Sequence, residues 1–441
     1  MCECTDMSMD LKTPRNVYLS AFYKRSFAYH TVKNRMPVIL TQIIDTLSRT
    51  KLDVVKEFDQ NSAEDLKKVI SELSKFKYEI QTNKPLTKLQ SDAPDIKIYN
   101  DYIDKQATEE GETTYFNTIW LLVECYMYRR IKEVFSLTDS LGSFDYFRSL
   151  KQEQFNKCRA ATVILSKHLK GVTDRGFSDE KFTQEMVLTY LKANLWGNKC
   201  DLSVTLGKVN DVLNVLNVTE MDRFILVDDS QKFYDNLSST EFSTAVYIDV
   251  VLDNAGYELI TDLILMSSLS AAYPGFKVRF HVKVMPWFIS DVTETDFHWT
   301  LQEMSQMNDE ITRAFAKKCK EFVSSGQWSI IAHPFWTYPY EYKFMKELAP
   351  DLYSILSDSA CVIFKGDLNY RKLFGEKNWD PTTPPLEALQ GFQPSRLLTL
   401  RTIKADIVVG LQPGVAERCE KEDSKWMENG DYGVIHFIPK S

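Results

Sequence analysis

The chain has 441 residues, 44% hydrophobic and 26% charged, which is the balance of a folded globular protein and not of a disordered one. That length accommodates one large domain or two to three ordinary ones. A formal net charge of -8 argues against nucleic acid as the main partner, and no run approaches the ~18 apolar residues of a membrane span.

Residues 1–25 are expected to form a flexible N-terminus. Cys2 and Cys4 lie within it and read as part of a frayed end, not as a metal site. The other cysteines make no CxxC pair, and several sit inside apolar patterns, as reduced core thiols do. With no apolar signal core, the protein is expected to be intracellular, in the cytoplasm and with the nucleus as a second location. Residues 26–205 read as a helical region. Met36–Leu47 is amphipathic, with Pro37 in its first turn, and Asn61 and Ser62 open a helix carrying Leu66, Val69, Ile70, Leu73 and Phe76 at helical spacing. Ile119–Phe135 is apolar almost all round, the mark of a buried helix. Glu124, Arg129 and Arg130 interrupt it, and unpaired charges there would be costly. Internal ion pairing is their first reading and substrate contact their second. Segments near 107–114 and 138–143 read as loops. Asn198 and Asp201, in LWGNKCDLS, and the aromatic cluster HPFWTYPYEY complete this survey.

The texture changes after about Thr240. Thr244–Leu269 reads as strand, polar turn and helix; Lys277–Thr293, Trp328–His333, Ser359–Asn369, Leu397–Leu411 and Tyr432–Ile438 supply further strands. Alternation with helices predicts an α/β fold, a three-layer α/β/α arrangement on a doubly wound, mainly parallel sheet, filling residues 206–441. Ligands in such folds collect beyond the carboxyl ends of the strands, at a topological switch point.

Four strand ends therefore matter. LDNAGYE places Asp253 and Asn254 directly after a strand, two hard oxygen donors suited to magnesium or manganese, with Glu258 in the next helical turn. The same pair could simply cap that helix. PWFISD places Asp291 after a second strand, which would add a third oxygen if the two strands are neighbours. FKGDLNYRKL offers Gly366 for close backbone approach and a helix N-terminus near Asp367, with Asn369 and Arg371 as donors for a phosphate; a capped surface helix would look the same. RTIKAD offers Lys404 as a point charge, or an exposed strand-edge lysine.

These motifs, together with AYHTVKNRMPVIL, WLLVECYMYRRI, FWTYPYEY, APDLY and IVVGLQPG, resemble the damage-control phosphatase family, in its sugar-phosphate phosphatase subgroup marked by R-T-x-K. The likeness runs from Ala28 almost to the C-terminus, leaving out the first ~25 residues and a stretch from about Asn210 to Thr240. It implies a helical region packed on an α/β/α phosphatase domain. It further implies a divalent metal, manganese or nickel first and cobalt or magnesium second, held by Asp253, Asn254 and Asp291. The phosphate would be held by Asp253, Asn254, the segment Asp367, Leu368, Asn369, Tyr370 and Arg371, and Lys404. Glu258 would lie beside the metal, and Glu124, Arg129, Asn198 and Asp201 are candidate sugar contacts. The implied substrates are fructose 1-phosphate and fructose 6-phosphate, small partners with no nucleic acid or membrane involved. The attacking group is left open between water and Asp253 itself; the lack of an acid next to Asp253 favours water. Two rivals remain. One is transfer of a methyl group from S-adenosylmethionine to carboxylates of a protein acceptor, with Glu258 and Asp291 near that cofactor; no GxGxxG turn follows the first strand to support it. The other is a non-catalytic sugar-phosphate-binding protein.

Overall fold

The computed structural model describes residues 8–58, 61–197, 221–237 and 246–440. Among them the apolar runs that end in polar residues form a sheet of seven strands: β1 (Ile225–Asp228), β2 (Tyr247–Val251), β3 (Lys277–Val282), β4 (Trp328–Ala332), β5 (Ser359–Lys365), β6 (Leu397–Thr402) and β7 (Gly433–Ile438). Their order is β1-β7-β6-β5-β2-β3-β4, and every neighbouring pair is parallel except β6 with β7. The sequence reading anticipates β2 to β7. It misses β1, a four-residue edge strand with no fully buried residue, although the short apolar run Phe224–Val227 marks it in the sequence.

Alternate residues of the central strands feed two cores. Val251, Phe364 and Leu397 face helices α1 (Met36–Arg49), α2 (Ser62–Gln81), α3 (Ile96–Glu110) and α4 (Trp120–Ser136). Val250, Ile363 and Leu398 face α5 (Arg159–Arg175), α6 (Glu180–Trp196), α7 (Tyr257–Ala272) and α8 (Glu310–Ser324). A sheet covered on both faces needs such apolar strands, and the period of two does the sorting. The expected division near 205 does not follow this packing. Helices α5 and α6 share a core with the sheet's own crossover helices, so the first-face layer ends before them.

Residues 8–25 are likewise not a loose end. Leu19 and Ala21 are buried, and backbone bonds join Asn16 N to Asn378 O, Asn378 N to Val17 O and Leu19 N to Glu376 O, each at 2.9 Å. The expected loop near 107 begins only at Gly111, past the end of α3. Cys125, Cys158, Cys319, Cys361 and Cys419 are free and buried, as apolar placement implies. No helix among the described residues is long and apolar enough to cross a membrane.

From β2 the chain steps outward through β3 to β4, then returns to place β5 on the other side of β2. The switch point therefore lies beyond the carboxyl ends of β2 and β5, where Asp253 and Gly366 emerge.

Candidate active site

Two backbone bonds join the segments that follow β2 and β3, which run antiparallel here: Ala255 N to Ser290 O at 2.7 Å and Val292 N to Asp253 O at 2.8 Å. They set Asn254 opposite Asp291 as a bridge, so Asp253, Asn254 and Asp291 come side by side. The loop delivering Asp291 is strained, with Phe288 at φ 43° and Ile289 at φ 72°. A β-branched residue seldom holds that conformation, and such strain concentrates at functional sites.

The Asn254 amide is oriented by its surroundings. Nδ2 donates to Asp253 Oδ2 and to Glu258 Oε2, both at 2.9 Å, while Oδ1 accepts from Ser290 Oγ at 2.5 Å. Glu258 thus lies behind Asn254, and its other oxygen meets Lys365 Nζ at 2.8 Å. Lys365 also pairs with Asp262 at 3.0 Å, and Asn194 Nδ2 donates to Asp262 Oδ1 at 2.6 Å. This buried network holds the floor of the site. Burial, with Glu258 and Asp291 nearby, pushes the Asp253 carboxyl well above its ordinary range. Asp291 rises to about 6 for the same first reason, with Lys283 opposing. Asp291 and Glu258, both expected at this site from the sequence, are the two acids that lie near Asp253.

Facing these acids is helix α9 (Gly366–Phe374), which starts where β5 ends. Gly366 has φ 80°, and a Cβ there would fall 1.8 Å from Asp253 Oδ2. The carboxylate therefore lies against the first turn of the helix, whose leading N–H groups have no intrahelical acceptor. Asp367 does not present a free carboxylate. It accepts from Arg401 Nε at 2.8 Å and from Lys404 N at 3.1 Å, which fixes the Lys404 loop to α9. Burial opposes its ionisation, but Arg401 and Arg371 outweigh it and hold Asp367 below the usual carboxylate range.

A cavity of about 170 Å³ opens between these parts, room for roughly six waters at about 30 Å³ each. Asp253, Asn254, Asp291, Asp367, Leu368, Arg371, Lys404 and Glu124 line it. Of the segment 367–371, Asn369 and Tyr370 turn inward instead. Asn369 donates to Lys365 O at 2.8 Å and accepts from Tyr342 at 2.6 Å, and the Tyr370 hydroxyl accepts from Val409 N at 3.2 Å. At 100° per residue an α-helix cannot aim five consecutive side chains one way. Lys372 is also buried, donating to Trp336 O and Tyr338 O at 3.0 and 2.8 Å. Arg129 is committed to Asp95 and Arg130 to Glu79, so neither reaches the cavity. Asn198 and Asp201 lie outside the described residues. Missing from the sequence reading are Phe27, Arg35, Trp120 and Phe288, which complete the wall. Arg35 sits in a π-helical turn, Thr31–Arg35, a feature frequent at functional sites. Only its place in AYHTVKNRMPVIL could have flagged it.

The donor set suits a hard divalent cation. Asp291 Oδ2 is buried, with Lys283 Nζ 3.1 Å away as its ion-pair partner. Among the described residues no three His, Cys, Asp or Glu side chains converge into a metal group of their own. A cation here would rest on the carboxylates of Asp253 and Asp291 and the amide oxygen of Asn254, an oxygen set that leaves positions for water or phosphate.

Comparison with known proteins identifies the family to which the chain is similar. The family model described as the damage-control phosphatase ARMT1-like domain matches residues 31–419. Proteins named damage-control phosphatase ARMT1 are 41% identical in Danio rerio over 95% of this chain and 96% of that protein, and 40% identical in Mus musculus over 95% and 98%. A solved structure of a DUF89 family protein from Pyrococcus horikoshii aligns at 18% identity and a TM-score of 0.40, covering 78% of this chain and 90% of that one.

Proposed function

Because the chain belongs to the damage-control phosphatase ARMT1-like family, we propose that it is a metal-dependent phosphatase of sugar phosphate monoesters, with fructose 1-phosphate and fructose 6-phosphate as its substrates and the cytoplasm as its place of work. The observation that carries this reading is the meeting, at one switch point, of a carboxylate pair with a helix N-terminus and a lysine across a cavity of phosphate size. Asp253, Asn254 and Asp291 would hold manganese or nickel. When bound, such a cation neutralises phosphoryl oxygens and acidifies water. The leading N–H groups of α9 and the Lys404 ammonium would hold the phosphoryl oxygens and stabilise the charge that builds as the ester bond breaks. Glu258 and Ser290 fix the Asn254 amide, and its Oδ1, which accepts from Ser290, is the atom that would be offered to a cation. Water is the favoured attacking group, since Gly366 and Asn254 already crowd Asp253 Oδ2. Glu124 and Arg35, on the helical wall, would meet the sugar.

The test is phosphate release from a panel of sugar phosphates, run with manganese, nickel, cobalt and magnesium in turn. Release from the fructose phosphates that stops with a chelator is the expected result. Methyl transfer from S-adenosylmethionine to protein carboxylates, with no phosphate released under any metal, would contradict the reading.

A further inference from the structure

Arg371 reaches the cavity wall between two carboxylates. Its Nε and Nη2 both pair with Glu376 Oε1, and Nη2 also donates to Glu124 Oε2 at 2.8 Å. The guanidinium lies over the Trp120 ring, 3.8 Å from the centroid. Glu124, Trp120 and Arg371 all line the cavity, whereas Glu376 sits behind it at 1% exposure. Its placement is built with care. Gly375 turns the chain at φ 68°, and a Cβ there would fall 2.4 Å from Gln390 Nε2 and 2.8 Å from Glu341 Oε2. Directly after this turn, Leu19 N holds Glu376 O at 2.9 Å, and the exchange between residues 16–17 and 378 continues the tie. The N-terminal segment is thus a strap across the turn that carries Glu376.

We propose that Glu376 is a positioning residue for Arg371, an inference that rests on the phosphatase reading of the site. A guanidinium gripped by one carboxylate can still swing about that contact. Grips on two different nitrogens fix its plane, and the Trp120 face beneath it removes the remaining freedom. Glu124 cannot do this alone, because it meets only Nη2, whereas Glu376 also holds Nε. With Nε and Nη2 both engaged, the edge carrying Nη1 is held toward an anionic oxygen in the cavity. Arg371 then meets a phosphoester already oriented, and its contribution does not have to include the cost of ordering a long side chain.

Steady-state kinetics on a fructose phosphate with manganese test this, with melting curves for each variant. Glu376→Ala is expected to raise KM about tenfold while kcat falls less, the loss of one charge-assisted bond. Glu376→Gln keeps an acceptor for Nε and is expected to stay close to the parent. Combining Glu376→Ala with Arg371→Ala should add nothing to the loss from Arg371→Ala alone. Should the alanine variant fail to fold, Glu376→Asp, too short to reach Nε, is expected to raise KM in the same sense. Glu376→Ala with unchanged KM beside an Arg371→Ala variant that is impaired overturns the proposal, as do losses that multiply in the double variant. An Arg371→Ala variant with unaltered kinetics likewise overturns the proposal while the phosphatase reading stands, whereas a parent that releases no phosphate strikes that reading itself.

Discussion

Gly366 shows how much can depend on one missing methyl group. The site needs a carboxylate pressed against the first turn of a helix, and a Cβ at 366 would lie within 2.2 Å of both Oδ2 and Cγ of Asp253. Gly366→Ala is expected to lose activity about a hundredfold by displacing that carboxylate, and to cost about 1–3 kcal/mol through the left-handed backbone; kinetics and a melting curve check the two effects separately. Asp406 gives a different residue-level prediction. It accepts from Phe27 N at 3.1 Å, its Oδ1 is buried without a partner, and burial lifts its carboxyl to about 6. A carboxyl raised from its ordinary 3.8 binds more protons folded than unfolded, so its stabilising contribution is full below that value and is lost as pH rises through about 6. Asp406→Asn removes this loss. Its melting temperature relative to the parent is expected to climb between pH 4 and pH 7, and a difference that stays flat or falls would contradict the assignment.

At the scale of elements, what was legible follows from what leaves a local trace. Parallel strands buried on both faces read as apolar runs, and the polar residues after β2, β3, β5 and β6 stood out against them. Strand β1 has only the short run Phe224–Val227, half-buried at the sheet edge. The motif DLNYR reads as a single clamp in one dimension. On α9 it divides, with 367, 368 and 371 turned to the cavity and 369 and 370 turned to the core. Arg35 and Trp120 come from the other layer, and no spacing rule joins them to Asp253; only folding does. The N-terminal strap was illegible because its ordering comes from backbone bonds to residues 376 and 378, which no side-chain pattern records. Leu19 lies under it at 1% exposure. Leu19→Ala is expected to cost about 2–4 kcal/mol, measured by denaturant unfolding, whereas a flexible terminus would tolerate the change without effect.

For the molecule as a whole, the sheet order explains why chemistry gathers in one place. The connections leaving the paired strands β2 and β5 run to opposite sides, and the crevice beyond their carboxyl ends receives acids from β2 and β3 on one side and cations from β5 and β6 on the other. The helical layer closes the crevice with Phe27, Arg35, Trp120 and Glu124, which ties both layers to a single site. The central claim is that Asp253 and Asp291, with Asn254, form the cation seat of that site. Calorimetric titration of manganese into the parent and into Asp253→Ala, with folding checked by melting, tests it most directly. One site in the parent, lost or weakened at least about a hundredfold in the variant, is the predicted result. Manganese bound equally well by both would contradict the account.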